Sequence, residues 1–96
     1  MRFSEPSVQK RGAAIEIFRR FDPKSVGFVT NSDFIQIYNK LVDVSIITQS
    51  YMSVDDSVAF LSQNGRISCA KFVAWIENFL VSILAYKYKH VYTYII

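Results

Sequence analysis

Two glycines, Gly27 and Gly65, each lie between two stretches whose apolar residues recur at helical spacing. A glycine turn between two such stretches predicts a helix–loop–helix unit. The chain has 96 residues, which suffices for one domain but not for two independent cores. We therefore expect an all-α domain in which two helix–loop–helix units share one core.

Four helices are predicted from the spacing of apolar residues and from the capping residues that precede them. They cover residues 7–21, 31–42, 54–62 and 69 to at least 86. The N-caps expected for the last three are Thr30, Ser53 and Ser68. The fourth helix is apolar almost all round, which indicates burial on most sides. The apolar stripes of the first, second and fourth helices are Val8, Ile15, Phe18 and Phe21; Phe34, Ile37, Tyr38 and Leu41; and Phe72, Trp75, Ile76, Phe79, Leu80, Ile83 and Leu84.

The first loop has a recognisable pattern. Residues 15–34 read Ile-Glu-Ile-Phe-Arg-Arg-Phe-Asp-Pro-Lys-Ser-Val-Gly-Phe-Val-Thr-Asn-Ser-Asp-Phe. With Asp22 as loop position 1, Gly27 falls at position 6 and Asp33 at position 12. This pattern resembles an EF-hand of the calmodulin superfamily, in which the glycine permits a sharp turn in the loop. The resemblance implies an EF-hand pair with four helices and a short β pairing between its loops.

The second unit resembles only the later half of such a loop. Gly65 would take position 6 and Ile67 position 8, while Lys71 replaces the coordinating acid at position 12. Position 1 would be Phe60, which belongs to the predicted third helix. We therefore expect a remodelled or shortened second loop, with Val29 and Ile67 paired across the two loops.

The resemblance divides the chain into a lobe and a tail. The lobe is expected over residues 1–85, with one hand at about 8–42 and a degenerate hand at about 54–85. Residues 86–96 form a tyrosine-rich tail outside it. Because 51% of the residues are hydrophobic and 16% aromatic, the chain is more apolar than a small monomer comfortably hides. We expect this surplus, on the back of the fourth helix and in the tail, to contact a partner.

Calcium binding is not expected at either loop. Calcium takes six to eight oxygen ligands, which an EF-hand supplies from positions 1, 3, 5, 7, 9 and 12. Lys24 occupies position 3 of the first loop and Val26 position 5, and neither can be a ligand. The vestigial ligands are Asp22, Thr30 and Asp33. No metal site and no cofactor are expected.

Other chemistry is also not expected. Cys69 is the only cysteine and His90 the only histidine, so the chain lacks the residues for an internal disulfide or a structural zinc site. No phosphate-binding glycine loop and no nucleic-acid motif is present. We therefore expect neither an enzyme nor a nucleic-acid-binding protein.

The resemblance implies a calcium-independent structural or adaptor subunit that grips a partner helix between its own helices. Myosin light chains and other cytoskeletal or axonemal light chains are the nearest analogy. The partner is expected to be an amphipathic helix or a larger multi-subunit assembly, in an intracellular setting, with a cytoplasmic or cytoskeletal location favoured. The candidate partner-binding residues are Phe34, Ile37, Tyr38, Leu41, Phe72, Trp75, Ile76, Phe79, Val81, Tyr86, Tyr88, Tyr92 and Tyr94.

Two alternatives stay open at this stage. One is an accessory subunit of a membrane-bound organellar complex, whose fourth helix and tail lie at the membrane. The apolar run 72–86 contains Glu77 and Asn78 and is shorter than the roughly 20 residues of a span, so contact is expected here and not crossing. The other alternative is a residual calcium sensor.

Overall fold

The chain is mostly helical, with a small antiparallel sheet. A computed structural model describes residues 5–81, with side chains from residue 8 onward. The elements are α1 (Glu5–Arg20), β1 (Phe28–Thr30), α2 (Asn31–Asp43), α3 (Val54–Leu61), β2 (Arg66–Ser68) and α4 (69–81). The four predicted helices are therefore confirmed, although α1 begins and ends slightly earlier than expected. The remainder of the predicted fourth helix and the tail lie outside the described residues.

Three helices begin directly at the capping residues that the sequence predicts. The side-chain oxygens of Thr30, Ser53 and Ser68 each accept a hydrogen bond of 3.1 Å from the backbone amide three residues later. Each cap satisfies a donor that has no partner inside the helix. Since Thr30 ends β1 and Ser68 ends β2, each strand leads straight into the next helix.

The two strands join the halves of the molecule. Val29 lies opposite Ile67 in the antiparallel register, so the predicted pairing of these two residues is confirmed. Both side chains are buried, and the neighbouring residues along each strand point to the other face. The backbone amide of Cys69 also donates to the carbonyl of Gly27 at 2.8 Å, which extends the pairing beyond the strands.

The core lies between the four helices and the inner face of the sheet. Its aromatic centre is a group of rings in which Phe18 and Phe72 have centroids 4.9 Å apart. Phe34 packs against Trp75 with a centroid distance of 5.7 Å, in an edge-to-face arrangement that aromatic rings favour. The buried apolar residues are Ala14, Ile17, Phe18, Val29, Phe34, Ile37, Tyr38, Leu41, Ile46, Ile47, Leu61, Ile67, Phe72, Trp75, Ile76, Phe79 and Leu80.

The predicted apolar stripe of α1 is partly wrong. Val8 is 56% exposed and Ile15 is only half-buried, whereas Ala14 and Ile17 belong to the core beside Phe18. The true stripe keeps the i, i+3, i+4, i+7 spacing from residue 14 to residue 21. Val8 and Ile15 lie on the adjacent side of the helix, where the other elements do not cover them fully.

None of the helices within residues 5–81 combines the length and apolar character that crossing a bilayer requires.

Candidate functional site

The first loop, residues 21–27, is closed by the carboxylate of Asp22. One oxygen, Oδ1, accepts a hydrogen bond from the backbone amide of Val26 at 2.8 Å, and Oδ2 accepts one from Gly27 at 2.9 Å. The carbonyl of Asp22 accepts a further bond from the amide of Ser25 at 3.0 Å. Asp22 is buried, and the loop backbone supplies the hydrogen bonds that its carboxylate needs there.

The three vestigial ligands lie around one cavity beside this loop. Asp22, Thr30 and Asp33 all line it, and its volume is about 220 Å³. The oxygens of Asp22 and Thr30 already accept backbone hydrogen bonds, and the ammonium-bearing side chain of Lys24 shares the same wall. Within residues 5–81, no group of three or more His, Cys, Asp or Glu is placed to hold a metal ion.

The second loop is shorter than the first, as the sequence predicts. It covers only residues 62–65, because α3 ends at Leu61 and β2 begins at Arg66. The backbone groups of Gln63 and Arg66 exchange two hydrogen bonds, of 2.8 and 3.1 Å. Asn64 and Gly65, between them, both have positive φ, which is the pattern of a type I′ turn. A tight hairpin therefore replaces the long loop that the resemblance implies.

A second cavity, which we call the cationic pocket, lies beside this hairpin and the outer face of the sheet. Its volume is about 260 Å³. The guanidinium carbon of Arg66 lies 4.4 Å from the centroid of the Phe28 ring, in cation–π contact. Lys71 Nζ donates to the side-chain oxygen of Gln63 at 3.2 Å. The pocket is lined by Phe28, Leu61, Gln63, Asn64, Arg66, Ser68 and Lys71.

Sequence reasoning missed Phe28 and Arg66 as members of one site. The two residues are far apart in sequence, and only the register of the strands places them on the same face of the sheet. The alternation along β1 and β2 could have revealed this, because a pairing of Val29 with Ile67 leaves their neighbours together on the outer face.

Eight of the nine predicted partner-binding residues of α2 and α4 lie inside the core. All eight are at most 3% exposed, so in this conformation they contact one another and not solvent. Partner binding through them remains a prediction and requires the helices to separate. Val81 is 44% exposed, and Tyr86, Tyr88, Tyr92 and Tyr94 lie outside the described residues. The eight buried candidates are Phe34, Ile37, Tyr38, Leu41, Phe72, Trp75, Ile76 and Phe79.

Two of these eight residues carry a buried polar group, and only one of the two groups has a hydrogen-bond partner among the described residues. The hydroxyl of Tyr38 donates to the carbonyl of Met52 at 2.6 Å, and burial raises the pKa of Tyr38. The indole Nε1–H of Trp75 is buried but finds no acceptor among the described residues. Buried donors are nearly always paired, so the Trp75 N–H is an exception that needs a physical reason.

An ion pair connects α1 to α4 at the edge of the core. Arg11 Nε and Glu77 Oε1 lie 2.7 Å apart, with both side chains about two-fifths exposed. Such a half-exposed pair contributes little stability, typically about 0–1 kcal/mol. Arg11 is therefore occupied within the protein.

The described residues define a mostly helical protein whose two loops are joined by a two-stranded antiparallel sheet. No family model, curated protein or solved structure matches this chain.

Proposed function

We propose that this protein is a non-catalytic, calcium-independent, EF-hand-like structural or adaptor subunit that binds a helix of a protein partner within a larger assembly. The repetition of one local plan supports the EF-hand-like part. Gly27, Val29 and Thr30 serve as turn, inner strand residue and helix cap in the first unit. Gly65, Ile67 and Ser68 take the same roles, at the same spacing, in the second.

The hydrogen bonds and the charges of the loop residues support calcium independence. Both oxygens of Asp22 accept bonds from the loop backbone, and these bonds hold the loop closed. Lys24 lines the same cavity and contributes a positive charge that repels a dication. The second loop is a hairpin with Arg66 and Lys71 beside it, where a calcium site would require carboxylates.

The observation that carries the partner-binding part is the buried indole N–H of Trp75, which has no acceptor within residues 5–81. Leaving a buried donor without an acceptor costs about 1–3 kcal/mol. Trp75 packs against Phe34 of α2, so separation of α2 and α4 would uncover this donor together with the apolar residues around it. A partner helix with an apolar face and one acceptor would then cover these apolar residues and accept a hydrogen bond from the Trp75 N–H.

The test is to isolate the tagged full chain from its native cells under mild conditions and measure what co-purifies. The proposal expects a protein in fixed stoichiometry, and a chain that elutes alone would contradict it. Trp75→Phe removes the N–H while retaining an aromatic ring, and it should weaken the complex. Tyr51→Phe is the matched control, because it also removes one polar hydrogen from an aromatic side chain, at an exposed residue whose ring lies 4.7 Å from that of Phe79. Equal complex formation by both variants would exclude the role of the Trp75 N–H.

Cell fractionation distinguishes this proposal from the organellar alternative. Release together with cytoskeletal filaments agrees with the adaptor proposal. Association with membranes that resists carbonate extraction would instead favour an accessory subunit of a membrane-bound complex.

A further inference from the structure

The two cations of the cationic pocket have no acidic partner among the described side chains. Arg66 lies on a neutral aromatic ring, and Lys71 donates to a neutral amide oxygen. No acidic side chain of the described part of the chain lines the pocket. The ion pairs within the described side chains join Arg11 to Glu77 and Arg20 to Glu16, so they involve neither of these cations. Two like charges at one cavity repel each other, and the contacts of Arg66 with Phe28 and of Lys71 with Gln63 neutralise neither charge.

Within residues 5–81, this positive charge is local and not part of a general excess. Of the 11 basic residues in the chain, Arg2, Lys87 and Lys89 lie outside residues 5–81, which leaves eight. All 8 acidic residues lie inside that range, so the described part of the chain is formally neutral. The neighbouring cavity at the first loop has the opposite balance, with Asp22 and Asp33 against Lys24. The two loops thus present surfaces of different sign.

The pocket also has an apolar component. Phe28 is only half-buried, and Leu61 forms part of the wall. A ligand that meets Arg66, Lys71 and Phe28 together would combine negative charge with an apolar group. Carboxylates next to apolar side chains in a peptide have this chemistry, and hydrogen bonds to charged groups are stronger than neutral ones.

The geometry points to the cationic pocket as a binding site for an acidic segment of a protein partner. Carboxylates of that segment bind Arg66 and Lys71, and an adjacent apolar side chain packs on Phe28. A nucleic acid is a poorer match, because tight binding to a phosphate backbone requires a series of cations. Apart from Arg66 and Lys71, residues 5–81 carry 6 basic and 8 acidic residues, a formal charge of −2. This inference rests on the proposed function in that it takes the ligand to be a protein, and it specifies that protein's chemistry.

The test uses the full chain and a fluorescent peptide in which glutamate alternates with leucine. Binding is followed by fluorescence anisotropy at low and at physiological salt. We expect saturable binding that weakens about tenfold or more with Arg66→Glu or Lys71→Glu. Lys10→Glu is the matched control, because it makes the same charge change at an exposed site on α1 and should leave the affinity unchanged. A peptide with glutamine in place of glutamate should not bind.

Several results would overturn the inference. These are absence of saturable binding at millimolar peptide, equal affinity in Lys71→Glu and Lys10→Glu, or equal binding of the glutamine peptide. A single-stranded RNA of matched charge that binds more tightly, and through the same two residues, would assign the pocket to nucleic acid. Co-purification separates the two proposals: a wild-type complex that persists in Arg66→Glu and Lys71→Glu removes the pocket inference and retains the adaptor function. Absence of any co-purifying protein would remove the adaptor function, while peptide binding that depends on Arg66 would still support the pocket.

Discussion

The carboxylate of Asp22 accepts a hydrogen bond from the backbone amide of Gly27 at 2.9 Å, while its other oxygen accepts one from Val26 at 2.8 Å. These two bonds close the first loop across a buried residue. Under the proposed EF-hand assignment Asp22 takes the position of the first calcium ligand, and in this protein its carboxylate holds the loop backbone. The stability of the loop should accordingly depend on Asp22 and not on calcium.

Asp22→Ala should destabilise the protein by about 2–4 kcal/mol, because hydrogen bonds to a charged group contribute about 1.5–3 kcal/mol each and the two share one acceptor. Asp22→Asn keeps one carbonyl acceptor and should cost about half as much. The measurement is urea unfolding followed by the fluorescence of Trp75, the only tryptophan. Asp43→Ala, at an exposed position, should change stability by less than about 0.5 kcal/mol. Equal stability of Asp22→Ala and the wild type would contradict the assigned role.

Gly27→Ala should destabilise the protein by about 1–2 kcal/mol, because Gly27 has a φ of +94° that an L residue adopts only with strain. Gly12 provides the matched control within α1. A Cβ atom there would meet nothing within 4 Å, so Gly12→Ala should stabilise the helix by about 0.5–1 kcal/mol. Thermal unfolding of the two variants should shift in opposite directions, and a shift in the same direction would be inconsistent with the loop conformation.

Tyr38 should make the protein sensitive to alkaline pH. Burial raises the pKa of Tyr38 above its usual value of about 10, so the unfolded chain loses this proton first as pH rises. The stabilising contribution is complete below pH of about 10 and falls as pH rises from there towards the higher pKa of the folded state. Tyr38→Phe should remove this part of the pH dependence. It should also cost about 1 kcal/mol at neutral pH, because the Met52 carbonyl loses its donor.

Urea midpoints measured from neutral to alkaline pH test this expectation. The two proteins differ only at residue 38, so the informative quantity is the difference between the two curves. The wild-type curve should fall more steeply above pH of about 10 than that of Tyr38→Phe. Parallel curves would show that Tyr38 does not cause the alkaline loss.

The helices and the strand pairing could be predicted because local signals and tertiary packing agree. Thr30 caps α2, and Phe34, Ile37, Tyr38 and Leu41 keep a strict helical spacing that a buried face requires. Val29 and Ile67 occupy matching places in their units, and pairing buries both.

Three features could not be predicted, because they depend on packing that the sequence pattern does not specify. In α1, Ile15 and Ile17 are equally apolar, and the contact of Phe18 with Phe72 decides which side faces the core. The cation–π contact of Arg66 with Phe28 needs the exact strand register, because a slip of one residue would move them to opposite faces. The unpaired N–H of Trp75 depends on where every nearby acceptor lies, and no local pattern encodes that.

Calcium titration of the wild type and of one redesigned variant tests the central claim most directly. Lys24→Asp, Val26→Asp and Asp33→Glu together restore the ligands that the first loop lacks under the EF-hand assignment. By calorimetry, the wild type should give no saturable heat up to millimolar calcium, whereas the triple variant should bind with a Kd of about 10⁻³ M or tighter. Saturable calcium binding by the wild type would contradict calcium independence, and a triple variant that stays inert would contradict the assignment of the loop positions.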